Sequence, residues 1–371
     1  MALIRPVCAG DLPALRELAA LAGGQLSSLP VDADDLAKKI ADSEAAFASD
    51  LRKPGGEMYQ FVLLDDAGRL VGTANVVSKT GGFEPFYNYR LVRERFRSDR
   101  LGVDKEVRSL HLVREHDGPA EVGGLFLHPD ARGGGMGRAL SMARMQLMAH
   151  APHRFDPRVV SEIRGKLRPD GTSAFWDAIG RHFFGVEFAV ADALSLVEKG
   201  FVAELMPDHP IYLDMLPPEA QSVIGLELDT ARPARRMLEG EGFAFRDHID
   251  IFDAGPMLEC ELADVRSVRT SRTAIVTGII ELPGEPDHLI ATNRVQLLAT
   301  PSAMKMDGAE IVIPPATARL LDIDVGQRVR FAPLRAEVEA TQAAAEMHDP
   351  YDHAIAVDAE DVVTTRPREI D

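Results

Sequence analysis

The run Val122-Gly-Gly-Leu-Phe-Leu127, His128-Pro-Asp-Ala-Arg132, Gly133-Gly-Gly-Met-Gly137 and Arg138-Ala-Leu-Ser-Met-Ala-Arg-Met-Gln-Leu-Met148 reads as a strand, a glycine-rich turn and a helix in immediate succession. Val122 to Leu127 is an apolar stretch of strand length, and Pro129 stops it. After Gly137 come helix formers with apolar residues at Leu140, Met145, Leu147 and Met148. A loop that opens a helix presents unpaired backbone N–H groups, and glycines let a ligand approach that backbone closely. A pyrophosphate is the natural guest of such a loop.

The spacing discriminates among nucleotide ligands. No Lys-Ser or Lys-Thr follows the glycines, so the ATP-type phosphate loop is absent, and the dinucleotide pattern Gly-x-Gly-x-x-Gly fails in this register. The arrangement Arg132-x-x-Gly135-x-Gly137 resembles the acyl-CoA loop of the GNAT acyltransferase superfamily. By that resemblance Arg132, Gly133, Gly134, Gly135, Met136, Gly137 and Arg138 are the expected binding residues for the CoA pyrophosphate.

Elsewhere the chain has the order that this fold requires. Leu3 to Val7 is a first strand, and Gly10 to Leu21 is a helix with Leu12, Leu15, Leu18 and Leu21 on one face, Asp11 as its expected N-cap and Pro13 in its first turn. Gln60 to Leu64 and Leu70 to Val77 flank the turn Asp65-Asp-Ala-Gly68 as a hairpin. Beyond the loop helix, Arg158 to Arg164 is extended, and Ser173 to Phe184 carries aromatic residues at helical spacing, where packing is the expected role of Phe175, Trp176, Phe183 and Phe184. A second strand–helix–strand passage follows at Ser222 to Leu228, Ala234 to Phe243 and Phe245 to Phe252. It fits either one domain with a long insertion or a partial repeat of the first.

From about Arg266 the texture changes to short β segments at 274–280, 295–298, 310–313 and 328–331, separated by Gly, Pro and Asp. The expected fold class is therefore α+β. It comprises a GNAT-like core over residues 1–264 with a mixed, mostly antiparallel sheet and flanking helices, and a partial repeat as an option over 200–264. A small β-barrel subdomain is expected over 265–345 and an acidic tail over 346–371.

Composition narrows the classes of function. The chain has 371 residues with 46% hydrophobic content, enough for well-buried cores. Two cysteines, Cys8 and Cys260, argue against a disulfide framework and a cysteine-rich zinc site, and no metal is expected. No signal-peptide pattern or run of eighteen apolar residues is present, so a cytoplasmic location is expected. A formal charge of −17 disfavours nucleic acid as a partner and permits a cationic substrate. An anionic cofactor then needs local cations, which Arg132, Arg138 and Arg144 supply around the loop.

Longer blocks resemble one family within that superfamily. They are Ile4-Arg-Pro-Val7, Ser28-Leu-Pro30, Phe86-Tyr-Asn-Tyr-Arg90, Leu125-Phe-Leu-x-Pro-Asp130, Ala174-Phe-Trp176 to Phe183-Phe184, Phe201-Val-Ala-Glu-Leu-Met-Pro-x-His-Pro-Ile-Tyr212 and Ile249-Asp-Ile-Phe-Asp-x-Gly-Pro-x-Leu-Glu-Cys260. The chain is similar through nearly its whole length to bacterial arginine N-succinyltransferases. That resemblance implies transfer of a succinyl group from succinyl-CoA to the α-amine of L-arginine in arginine breakdown, by an oligomer of one or two related subunits. It also assigns Leu125, with Phe126 and Leu127 beside it, to succinyl-CoA binding.

An amine attacking a thioester needs a proton acceptor and a polarised carbonyl. Glu121 on the strand before the loop is the candidate base. The family's proton-donating histidine, in a Val-His-Pro-x-Thr segment, is replaced here: alignment puts Leu228 at its position, within Glu227-Leu-Asp-Thr-Ala231. Glu227, His209 and His248 are the candidates for the vacated role. For the substrate, Arg90 is a candidate partner of a carboxylate, and Glu162, Glu204 or Asp253 of the guanidinium. The alternatives are a different acyl-CoA or basic amino acid, or a non-catalytic partner subunit of an active homologue.

Overall fold

Apolar alternation and turn residues set up sixteen strands, seen in a computed structural model that describes residues 1–23, 26, 29–195 and 200–335. The first seven are β1 Leu3–Pro6, β2 Met58–Leu64, β3 Leu70–Val77, β4 Gly81–Ser98, β5 Val103–Asp117, β6 Ala120–Leu127 and β7 Arg158–Glu162. Three more close the middle of the chain: β8 Ile211–Tyr212, β9 Ala244–Ile249 and β10 Pro256–Glu261. The last six are β11 Arg272–Ile279, β12 His288–Thr292, β13 Ala299–Ser302, β14 Lys305–Asp307, β15 Glu310–Ile313 and β16 Arg328–Pro333. All join one mixed sheet in the order β14-β15-β11-β16-β12-β13-β1-β2-β3-β6-β7-β10-β9-β4-β5-β8. Only β6–β7 and β11–β15 pair parallel among the described residues.

The helix Met136–His150 lies against one face of the first half of this sheet. Every residue from Ala139 to Met148 is buried, which is why the stretch is apolar nearly all round. Its Leu140, Met142, Met145 and Leu147 share a core with Phe61, Leu63, Val122 and Val159. Each such side chain contributes about 1.5–3 kcal/mol. Gln146 Nε2 donates to Ser267 O at 3.2 Å and Gln146 Oε1 accepts from Ser271 Oγ at 2.9 Å, tying the helix to the C-terminal third. On the opposite face the helices Leu12–Ala22 and Ala33–Ala48 cover Val62 with Leu15, Leu18, Leu36 and Ile40. No helix among the described residues is long and apolar enough to cross a membrane.

Several expectations are corrected. Asp11 stands at the N-cap position of its helix as expected but makes no side-chain cap there; its carboxylate takes a two-pronged bond from Arg5 at 2.7 and 2.6 Å and one from Cys8 N at 2.8 Å, because a guanidinium is the stronger donor. Residues 222–228 are not a strand: Pro217 and Pro218 start the helix Pro218–Ser222, Gly225 turns the chain at φ 73°, and only Glu227 pairs, as a bridge to Gly165. The 295–298 segment is a turn that leads into β13. Phe175 and Trp176 are fully buried as expected, whereas Phe183 is exposed. β4 and β5, paired from Gly81–Asp117 to Ser98–Val103, form a long hairpin that the sequence reading did not contain.

The strands from β11 to β16 carry their own core of Ala274, Val276, Ile290, Ile311, Leu321 and Phe331. Their pairings run open-ended among the described residues, with β14 at one end and β13 joined to β1 at the other. They do not by themselves make the small barrel expected from the sequence. The acidic tail at 346–371 lies outside the described residues.

Candidate active site

β6 is where the sheet changes character. It pairs antiparallel with β3 along its length and parallel with β7 only at Ala120–Val159 and Glu121–Val160. Beyond Glu121 the two parallel strands part, so the edge of β6 from Val122 to Leu127 has no ladder partner on that side. The β3 pairing is interrupted between Thr73–Phe126 and Asn75–Gly123, where Gly124 and Leu125 together oppose Ala74. This is a β-bulge, and Gly124 takes φ 59° within it. A strand with a bulge on one side and a parted neighbour on the other offers unpaired backbone donors to a ligand. Leu125, Phe126 and Leu127 are half-buried beside this gap.

The loop that follows opens a helix with three glycines at positive φ. Gly133, Gly134 and Gly135 take φ 91°, 57° and 80° in succession, and Met136 begins the helix. A Cβ at any of the three would meet nothing beyond its chain neighbours within 4 Å, so the space next to the loop backbone is open. Arg132 and Arg138 are exposed on either side, with the Arg132 guanidinium 5.8 Å from the centre of the Phe126 ring. Arg144 does not join them. It lies inside the protein beneath the bulge, a correction to its expected place on the loop. Gly135→Val should leave the sheet and the helix packing in place, since its Cβ meets no other part of the protein. A β-branched side chain at φ 80° distorts the loop, so CoA affinity measured by calorimetry should fall at least about tenfold. An unchanged affinity would remove the loop from the binding site.

Glu121 points to the face of the sheet covered by helix Ala33–Ala48. A Cβ built on Gly123 would lie 3.7 Å from Glu121 Oε1 and 3.3 Å from Asn75 Oδ1, so both polar groups lean over the glycine that precedes the bulge. Lys39, on that helix, feels the Glu121 charge: burial lowers its pKa, against the raising pull of Asp35 and Glu121. Glu162 shares this face, because Glu121 pairs with Val160 two residues before it. Arg90 is exposed on β4, paired with His248, three places beyond β7 on the same face.

The remaining expected residues stand elsewhere. His209 is exposed just before β8, six places from β6 in the sheet order, and Glu204 is exposed on the helix Gly200–Leu205. The Glu227 carboxylate is held by Arg235 at 2.6 Å and Arg232 at 3.6 Å. Burial acts to raise its pKa, but the backbone and both arginines outweigh this and leave it below the ordinary glutamate value. His248 gives Nδ1 to a 2.7 Å contact with Asn88 Oδ1, and burial lowers its pKa. Asp253 is buried, accepts from Gly165 N at 2.9 Å and Gly255 N at 2.8 Å, and lies 3.4 Å from Arg164. It is a brace for the loop after β7 and not a surface for a substrate guanidinium. Its pKa is pushed up to about 7 by burial and by Asp250. Leu228 N donates to Arg164 O at 2.8 Å on that same loop, which puts the expected histidine position beside the exit of β7.

A family model described as arginine N-succinyltransferase beta subunit matches residues 2–267. The chain belongs to this arginine N-succinyltransferase family. Within the family it is 38% identical to "Arginine N-succinyltransferase subunit beta" of Pseudomonas aeruginosa over 90% of this chain and 99% of that protein. It is 40% identical to "Arginine N-succinyltransferase" of Citrobacter koseri over 91% of this chain and 99% of the relative. The solved structure of arginine/ornithine succinyltransferase subunit AI from Pseudomonas aeruginosa superposes with a TM-score of 0.81 at 32% identity, covering 90% of this chain and 99% of that one. Family likeness therefore extends past residue 267 into the C-terminal strands.

The bulge at Gly124 and the half-buried Lys39 were not singled out from sequence, and Arg144 was expected on the loop rather than buried beneath the bulge. The pair Gly123-Gly124 inside an apolar strand was a signal for the first, since glycine within a strand marks a bulge or a close approach.

Proposed function

We propose that this chain transfers the succinyl group of succinyl-CoA to the α-amine of L-arginine, giving N2-succinyl-L-arginine and CoA. The observation that carries the reading is full-length identity of 38–40% to proteins of that name, in a chain whose β6 has a bulge and a parted neighbour next to a three-glycine helix start. The loop 132–138 would hold the pyrophosphate, and the free edge of β6 from Leu125 to Leu127 the acyl end of the donor. Glu121 takes the proton of the substrate ammonium, directly or through water. The freed nitrogen attacks the thioester carbon, a C–N bond forms and the C–S bond breaks. The nitrogen, cationic after attack, gives its second proton to solvent as the amide forms, and CoA leaves as thiolate and recovers a proton from the glutamic acid or from solvent, which lets the reaction run with Leu228 in place of a histidine. Glu121 and Glu162 put negative charge on the acceptor side, suited to a cationic amino acid. The family's description as a beta subunit supports assembly with further copies or a related chain.

A free-thiol release assay on the purified chain tests this. Turnover is expected with succinyl-CoA and L-arginine, at rates well above those with acetyl-CoA, L-ornithine or L-lysine. Failure with every pair, in a chain that binds CoA, would instead establish a partner-subunit role.

A further inference from the structure

Arg144 is 2% exposed, and no acidic side chain pairs with it among the described residues. Among the described residues its guanidinium bonds end on neutral oxygens: Nε donates to Ser141 O at 3.2 Å, Nη2 to Ser141 Oγ at 2.6 Å, and Nη1 to Gly123 O at 3.0 Å and Asn75 O at 3.3 Å. Burial lowers its pKa to about 10, so it is still a cation at neutral pH. A charge buried without a counter-ion is costly, and the surrounding helix is otherwise packed with Leu, Met and Ala. A methionine would satisfy the packing. The cation must therefore be explained at the place it touches, which is the bulge.

The direction of the bulge peptide follows from its neighbours. Val122 O accepts from Ser161 Oγ at 2.8 Å on the β7 side. Gly123 O, next in the alternation, faces β3, where Nη1 of Arg144 holds it together with Asn75 O. No cis peptide occurs, so the N–H of Gly124, at the other end of the same planar unit, points the opposite way, into the gap that β7 leaves after Val160. A donor on the carbonyl of a peptide strengthens the N–H of that peptide.

We propose that Arg144 is a positioning residue for acyl transfer: by holding Gly123 O it fixes and polarises the 123–124 peptide, so that the Gly124 N–H meets the thioester oxygen as negative charge grows on it. This rests on the acyl-CoA reading above. Arg144 touches no substrate; it acts through the strand.

The test compares the native chain with Arg144→Met, Arg144→Lys and Ser141→Ala. The first readout is the infrared carbonyl stretch of carbonyl-13C-labelled succinyl-CoA bound without arginine, which needs no turnover. The native chain should shift the band to lower wavenumber than in free succinyl-CoA, the Met variant should lose most of that shift, and the Lys variant should recover part of it. The second readout is steady-state kinetics. The Met variant should lose about 10- to 100-fold in kcat while KM for arginine and Kd for CoA stay within about threefold, since the loop is untouched. Should the Met variant fail to fold, the Lys and Ser141→Ala chains carry the comparison, each with a smaller shift and a kcat a few-fold lower. The same band and the same kcat in all folded variants would overturn the proposal, as would equal losses in kcat and CoA affinity. A native chain that does not bind succinyl-CoA would take down the functional reading itself, and this proposal with it.

Discussion

Glu121→Gln is expected to lower kcat for succinyl transfer by about 10²–10⁴-fold, the contribution of a well-placed proton acceptor. The substitution keeps the shape of the side chain and its contact over Gly123. It removes the ability to hold a proton. The KM for succinyl-CoA should hardly move, because the pyrophosphate loop and the free edge of β6 lie beyond the bulge from this side chain. A kcat within threefold of the native value would take Glu121 out of the chemistry and send attention to Glu162 on the neighbouring strand.

The second large effect is on stability. Trp176→Ala should lower the unfolding free energy by about 3–5 kcal/mol, as the loss of a fully buried large aromatic does. Trp176 lies nearly parallel to Phe184 at 5.2 Å and to Phe252 at 5.6 Å, and its Nε1 donates to Val186 O at 2.9 Å. Its removal leaves both a void and an unpaired carbonyl. Phe252 precedes Asp253, which braces Gly165 on the loop after β7, so the variant should also bind succinyl-CoA less tightly at temperatures well below its midpoint. Denaturant titration followed by far-ultraviolet circular dichroism measures the effect, since Trp176 is the sole tryptophan and its own fluorescence goes with it. A loss below about 1 kcal/mol would mean that the aromatic cluster closes over the gap.

These two residues also show what a sequence reveals and what it hides. The strand, glycine turn and helix at 122–148 were legible because local chemistry decides them: apolar run, Pro129, glycines, helix formers. The hairpin at 58–77 was legible for the same reason, through Asp65-Asp-Ala-Gly68. The β4–β5 hairpin was hidden because its outer half is exposed on both faces, with alternating charge such as Arg95 beside Asp104, and so lacks the apolar alternation that marks a strand. The segment 222–228 read as a strand by its apolar content, yet two prolines ahead of it favoured a helical turn. Arg144 was expected among the cations around the loop because it stands close to it in sequence; only the packing of the helix against β3 and β6 shows it buried. Pairwise geometry of that kind depends on residues far apart in the chain.

One pairing has a consequence for how the protein is made. β1, within the first six residues, is hydrogen-bonded to β13 through Ile4 and Ala299, and Thr300 Oγ1 closes on Ala2 O at 2.7 Å. During synthesis the first strand can pair with β2 early, but its other edge must wait for almost three hundred further residues to leave the ribosome. Until then Leu3 to Pro6 is an open template for any neighbouring strand, and a nascent chain stalled before β13 is the form most prone to join another. Closure of that long loop is the late, slow event, so complete synthesis and a native N-terminal strand are one requirement.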